Sequence, residues 1–276
     1  MAFEKVVVTS CEDQWYRRCS QIGILEALGF PIIEKDLYHV IWAKPFDDCG
    51  EEALIAFLVD MGFENWKDVA KFPESSVMRH YDLSLIEVQI RGLQYCLETN
   101  QKILLLQDDV WFTKKFNDIY APLQHLVNVT AETDPVGICQ LDYGADPEGR
   151  YSVARGQTRT VRGGMPEFWQ GSMGQSTAAI FLTPYGAERI LAFLKTAKDA
   201  SLTTLEVMPP LFWYNEPWMY TVAQRNWARY LDSMNGHNIS AKVDEHEHMI
   251  SPRHGAVARR ENSYHFFDKY RIPYQR

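Results

Sequence analysis

Two adjacent carboxylates, Asp108 and Asp109, follow the run Ile103-Leu104-Leu105-Leu106-Gln107. An unbroken apolar run of that length is the pattern of a strand buried on both faces of a parallel sheet. Ligands of open α/β sheets bind beyond the carboxyl ends of such strands. Paired carboxylates there suit a hard divalent cation, Mn²⁺ or Mg²⁺, shared with phosphate oxygens. Such a cation would offset the charge that builds on a departing diphosphate. The competing structural role of the pair is turn formation, because acids often end strands for that reason alone.

The flanking pattern supplies the elements that must hold these acids. Ser84 and Glu87 fit a capping box, and Ile86, Ile90, Leu93 and Leu97 then form one stripe of a helix leading into the apolar run. Upstream, Val6-Val7-Val8-Thr9 reads as a strand, and Ile22, Leu25 and Leu28 mark a helix over residues 15–28 that Gly29 closes. Residues 31–42 supply a second strand, and residues 50–72 read as a helical, acidic and aromatic insertion. Downstream, strands are expected over 136–141, ending in Asp142, and over 178–182. Thr183-Pro184 then serves as N-cap and first turn of a helix running to about Lys195. Residues 149–176 hold six glycines and read as either a mobile functional loop or a partly disordered segment. Residues 215–230 read as a further helix with Pro217 in its first turn.

Composition bounds the remaining possibilities. The chain has 276 residues, 46% hydrophobic and 23% charged, enough for one large domain with a sizeable core. No apolar run approaches the roughly 20 residues a membrane helix needs, and the first ten residues lead into a strand rather than a targeting segment, so a cytoplasmic location is expected. Five cysteines without a C-x-x-C pair argue against both a disulfide framework and a structural zinc site. The formal charge of −8 exerts no global pull toward nucleic acid. Locally, however, Arg150, Arg155, Arg159 and Arg162 cluster, as do Arg253, Arg259, Arg260, Lys269 and Arg271.

The stretch from the capping box through I-L-L-L-Q-D-D-V-W-F resembles the approach to the E-D-D-V motif of the family 25 glycosyltransferases, the lipopolysaccharide and collagen-type sugar transferases of GT-A fold. Arg17-Arg18 ahead of L-E-A-L-G-F, and S-T-A-A-I-F-L-T-P-Y-G-A-E-R-I-L from Ser176, are similar to further segments of that family in the same order. About two thirds of the chain is covered, and the D-D-V and G-A-x-x-L segments are its most specific parts. The resemblance implies a single GT-A-like α/β domain over 1–276, with a mostly parallel central sheet flanked by helices. Residues 1–145, with a helical insertion at about 44–80, would bind the nucleotide-sugar; residues 146–276 would receive the acceptor.

By the same resemblance, Thr9 and Arg17 lie near the base and diphosphate of the donor, expected to be a UDP-sugar. Gln107 replaces the family's usual Glu, so it can hydrogen-bond a ribose hydroxyl but adds no charge for a cation. Asp109 becomes the direct metal ligand, and Asp108 a metal ligand or ribose contact. Asp142 faces the donor sugar. Glu216 takes the proton from an attacking hydroxyl in an inverting enzyme, or orients the acceptor in a retaining one, although the helix macrodipole favours an acid in a first turn regardless of chemistry. His248 or His254 completes the cation's shell, and Arg253 grips the diphosphate. Tyr143, Trp169, Trp213, Tyr214 and Trp218 offer flat faces for a sugar ring or base. The acceptor is expected to be a glycan, a protein hydroxylysine or a hydroxylated DNA base, and the arginine clusters favour an anionic polymer. Two rivals stand beside this reading. A nucleotidyltransferase would usually carry a glycine-rich phosphate loop, and residues 9–18 contain no glycine. A non-catalytic sugar-binding scaffold descended from a transferase is compatible with Gln107.

Overall fold

A computed structural model describes residues 1–11, 15–43, 51–64, 76–131, 134–141, 160–161, 167–171, 179–196, 216–222 and 227–230. Ten strands and five helices are formed by these residues. In chain order they are β1 (Lys5–Cys11), α1 (Trp15–Ala27), β2 (Tyr38–Ala43), α2 (Glu51–Asp60), α3 (Ser76–Thr99), β3 (Ile103–Gln107), β4 (Val110–Phe112) and α4 (Phe116–Thr130), followed by β5 (Ile138–Gln140), β6 (Thr160–Val161), β7 (Phe168–Gln170), β8 (Ala179–Leu182), α5 (Pro184–Thr196), β9 (Met219–Val222) and β10 (Ala228–Tyr230).

Eight of the strands form one sheet in the order β2-β1-β3-β8-β5-β9-β7-β6. The pairings β2 with β1, β1 with β3 and β5 with β9 are parallel, and each pairing made by β8 or β7 is antiparallel. All strands except β8 and β7 therefore point the same way, giving the mostly parallel α/β sheet expected from the apolar runs. β8 lies between β3 and β5, so the two halves of the chain share a single sheet.

The period of two that defines a strand sends alternate side chains to opposite faces, and here both faces are covered. Val6, Val8, Leu104 and Leu106 pack with Leu25 of α1 and with Ile119, Leu123 and Leu126 of α4. Val7, Ile103 and Leu105 pack with Leu54 and Leu58 of α2, Ile90 and Leu93 of α3, and Ile190 and Leu194 of α5. This double burial is why β3 reads as an unbroken apolar run rather than an alternating one. Strands β4 and β10 form a separate antiparallel pair, with Ala228 opposite Phe112 and Tyr230 opposite Val110.

Thr183 caps α5 as its sequence implies: its hydroxyl accepts a hydrogen bond from the Gly186 amide at 3.2 Å. Two other expectations are corrected. Helix α3 begins at Ser76, so Ser84 lies inside it rather than at its N-terminus. Glu87, the expected capping-box partner, instead accepts from Arg91 one turn later at 2.7 Å. The helix expected over residues 215–230 is not formed. A turn at residues 217–218 leads into the buried strand β9, and β10 follows. The β-branched and aromatic run Met219-Tyr220-Thr221-Val222 is fully buried between β5 and β7, and these long-range pairings override the local Pro217 signal.

Candidate functional site

The carboxyl ends of β1, β2 and β3 lie side by side, and the turn Asp108-Asp109 projects from the last of them before β4 begins. Both acids are largely buried, at 8% and 9% exposure. Helix α1 clamps this turn through Gln21, one helical turn beyond Arg17. The Gln21 amide nitrogen donates to the carbonyl of Gln107 at 2.9 Å and to that of Val110 at 2.6 Å, bridging the two ends of the acidic turn. The Tyr38 hydroxyl of β2 donates to the Gln21 amide oxygen at 2.9 Å, which fixes the orientation of the amide. Burial, and then the negative charge of Asp108, push the Tyr38 phenol well above its usual range, so it keeps the proton it donates.

Asp108 is held by two elements at once. Arg17 Nη1 of α1 lies 3.0 Å from its Oδ1, and the Ser10 hydroxyl at the end of β1 donates to its Oδ2 at 2.5 Å. Arg18 in turn donates to Ser10 Oγ at 2.8 Å, and its guanidinium lies 4.4 Å from the ring centroid of Trp42, near the end of β2. Asp108, Ser10, Arg18 and Trp42 thus form a continuous chain of contacts across the three strand ends. Nearby, Cys19 of α1 has its thiol pushed up by burial, against the pull of Arg18, and stays protonated at neutral pH.

Asp108, expected as a metal ligand or a ribose contact, is engaged here by Arg17 and Ser10. Both of its oxygens already face partners, and a cation bound there would also face the Arg17 guanidinium. The ion pair holds Asp108 and Arg17 together at the strand end. Thr9, expected to approach the donor, sits opposite Gln107 and is 6% exposed. Its hydroxyl bonds the Leu106 carbonyl at 3.3 Å, tying β1 to β3.

Glu216 is not brought to this edge. Ile103 and Ile138 both pair with Leu182, and Ile138 pairs with Met219, so Met219 lies level with the first residue of β3. Glu216 precedes Met219 by three residues, whereas Asp108 follows Ile103 by five, and β9 runs parallel to β3. At about 3.3 Å per strand residue the two acids are on the order of 20 Å apart, at opposite edges of the sheet. The expectation that Glu216 deprotonates an acceptor at the acidic turn is therefore corrected. Trp218, expected as a stacking face, is 5% exposed and packs beside Gly137 in the core.

Of the residues the sequence singles out, the structure gathers Thr9, Arg17, Gln107, Asp108 and Asp109. Asp142, His248, Arg253 and His254 lie outside the described residues, as do Tyr143, Trp213 and Tyr214. Ser10, Arg18, Gln21, Tyr38 and Trp42 belong to the same edge and are not evident from the apolar periodicity. One signal for Gln21 was present: Arg17, Gln21 and Leu25 recur every four residues, on the face of α1 that turns toward the sheet.

No family model matches the chain, and no curated protein matches it. Among solved structures it is similar to the crystal structure of mouse xyloside xylosyltransferase 1 in its apo form. The TM-score is 0.36 and the identity 9%, over 78% of this chain and 77% of that one. A likeness of that size transfers no residue role from one chain to the other.

Among the described residues, the carboxylates at this edge fit a hard cation shared with a substrate's phosphates. Magnesium-like ions are commonly held by one or two carboxylates together with the phosphates of a substrate. Asp109, beside the anchored Asp108, offers a carboxylate of that kind. Among the described residues no group of three or more His, Cys, Asp or Glu side chains gathers to hold an ion. Also among the described residues, no helix is long and apolar enough to cross a membrane.

Proposed function

We propose that this chain is a glycosyltransferase that binds a nucleotide-sugar, a UDP-sugar by its resemblance to the family 25 enzymes, at the carboxyl edge of β1, β2 and β3. One observation carries this reading. A buried acidic turn at the end of a core strand is clamped by Gln21 and faced by Arg17, so a carboxylate and a guanidinium stand together where α/β sheets receive ligands. Nucleotidyl transfer has no comparable support, since residues 9–18 contain no glycine to wrap phosphates.

In this proposal Asp109, with His248 or His254, holds Mn²⁺ or Mg²⁺. The cation, when bound, supplies positive charge to the leaving diphosphate. Arg17, positioned by Asp108, contacts a phosphate oxygen of the donor, with Arg253 as a second phosphate partner. Gln107 offers its amide to a ribose hydroxyl. An acceptor hydroxyl on a glycan or a hydroxylated DNA base attacks the anomeric carbon. The bond from that carbon to the diphosphate oxygen breaks, and the hydroxyl proton passes to a base. Asp142, next in the chain after Leu141, is the acid this proposal assigns to the donor sugar.

A second reading is favoured by the engagement of Asp108 with Arg17 and Ser10 and by the neutral Gln107: a sugar-binding scaffold that has kept the architecture without turnover. Thermal melting against a panel of UDP-sugars, with and without Mn²⁺, tests binding, because a ligand that binds only the folded state raises the melting temperature. Stabilisation by one UDP-sugar that requires Mn²⁺ is expected. A panel with no shift would remove the nucleotide-sugar reading, and a shift independent of Mn²⁺ would favour the scaffold.

A further inference from the structure

Trp42 is the large side chain at this edge that the account so far leaves without a task. It sits near the end of β2, the outermost strand of the sheet, directly opposite Ser10 in the parallel register. Tyr38 and Trp42 are four residues apart on one strand and so share a face, the face on which Tyr38 meets Gln21 of α1. Trp42 is 51% exposed, whereas the residues beside it are buried: Ser10 at 4% and Arg18 at 8%. Most exposed tryptophans need no explanation, but this one is backed by a guanidinium that also bonds Ser10. The indole is thereby held at a fixed place while half of its surface stays open.

We infer that Trp42 is the stacking platform for the nucleobase of a nucleoside diphosphate whose phosphates lie toward Arg17 and Asp109. This rests on the proposed function and adds to it the position and orientation of the bound nucleotide. β2 is two strand spacings from β3, about 10 Å, roughly the reach from a base to the second phosphate of an extended nucleoside diphosphate. The direction is set by charge: the phosphate end belongs with Arg17 and a cation near Asp109, so the uncharged aromatic end points to the outer strand. Stacking uses the π-face that every base has, so Trp42 supplies affinity without choosing among bases, and selection falls to groups that meet the base edge.

Isothermal titration separates this inference from the reading beneath it. UDP and inorganic pyrophosphate, each with Mn²⁺, would be titrated into the wild type, Trp42→Ala and Trp42→Phe, with melting temperatures confirming that the exposed substitutions leave the fold intact. Trp42→Ala is expected to weaken UDP by about tenfold or more and to leave pyrophosphate unchanged, while Trp42→Phe retains most of the UDP affinity. Equal UDP affinity in Trp42→Ala and wild type would overturn the stacking role and leave the nucleotide site standing. An equal loss for UDP and pyrophosphate would also overturn it, by showing that Trp42 acts through Arg18 on the phosphates. Failure of the wild type to bind either ligand would overturn the functional reading and this inference with it.

Discussion

Arg17 and Asp108, 91 residues apart in the chain, meet at 3.0 Å where α1 crosses the end of β3. Both side chains are largely buried, at 14% and 8% exposure. Removing one member of a buried pair costs more than the pair contributes net, because the survivor keeps a desolvated charge without its partner. The two neighbouring acids therefore separate experimentally. Asp108→Ala is expected to lower stability by about 3 kcal/mol, read as a lower denaturation midpoint. Asp109→Asn keeps volume and is expected to lose about a hundredfold or more of any Mn²⁺-dependent turnover. An unchanged denaturation midpoint in Asp108→Ala, or full Mn²⁺-dependent turnover in Asp109→Asn, would contradict the assignment.

Gln21 is the second test of how the acidic turn is held. Gln21→Leu leaves the Gln107 and Val110 carbonyls and the Tyr38 hydroxyl without their partner, at about 1–3 kcal/mol for each buried group that water cannot reach. A loss of about 3 kcal/mol is expected by chemical denaturation. Tyr38→Phe, which removes only the bond that orients the amide, is expected to cost about 1 kcal/mol. Equal effects from both substitutions would show that the clamp works through Tyr38 rather than through Gln21.

Gly186 of α5 lies against Gly137, where the chain enters β5, with no room for a side chain. A methyl at Gly186 would run into the Gly137 carbonyl and backbone, which cannot yield as a flexible side chain would. Gly186→Ala is expected to destabilise by about 3 kcal/mol or more, despite the usual preference of helices for alanine. A melting temperature equal to the wild type would show that α5 is able to move off the sheet.

Burial, reinforced by the positive charge of Lys5 and opposed by Asp36, lowers the pKa of His39, whose ring stacks on Tyr95 at 4.3 Å. The unfolded chain then takes up the proton more readily than the folded one below the ordinary histidine value of about 6.5. The contribution of His39 is therefore intact above that value and is lost as pH falls through the lower folded pKa. Comparing denaturation midpoints at about pH 7.5 and 5.5 is expected to show a steeper acid loss in the wild type than in His39→Gln. Identical slopes would place His39 in a solvent-like environment.

Where burial follows period and local chemistry, the fold is legible in the residues themselves. The apolar run of β3, the Val6-Val7-Val8 core of β1 and the Thr183 cap of α5 are all readable without knowledge of what they touch. β9 is not, because Met219 to Val222 becomes a strand only through its pairings with β5 and β7, and Asn215, Glu216 and Pro217 give an equally good local signal for a helix start. That one misreading also carried Glu216 to the wrong edge of the sheet. The acidic turn was visible as a pair of carboxylates after an apolar run. Its clamp was not, because Gln21, Ser10 and Trp42 acquire their parts only when α1 and β2 are brought against β3.

The central claim is that the turn after β3 serves sugar transfer, and the most direct test is release of UDP from a panel of UDP-sugars by the purified wild type and Asp109→Asn, with Mn²⁺ and with chelator. Turnover of at least one donor that requires Mn²⁺ and falls about a hundredfold or more in Asp109→Asn is the expected result. Turnover unaffected by the substitution, or no release from any donor under conditions where one of them binds, would contradict it.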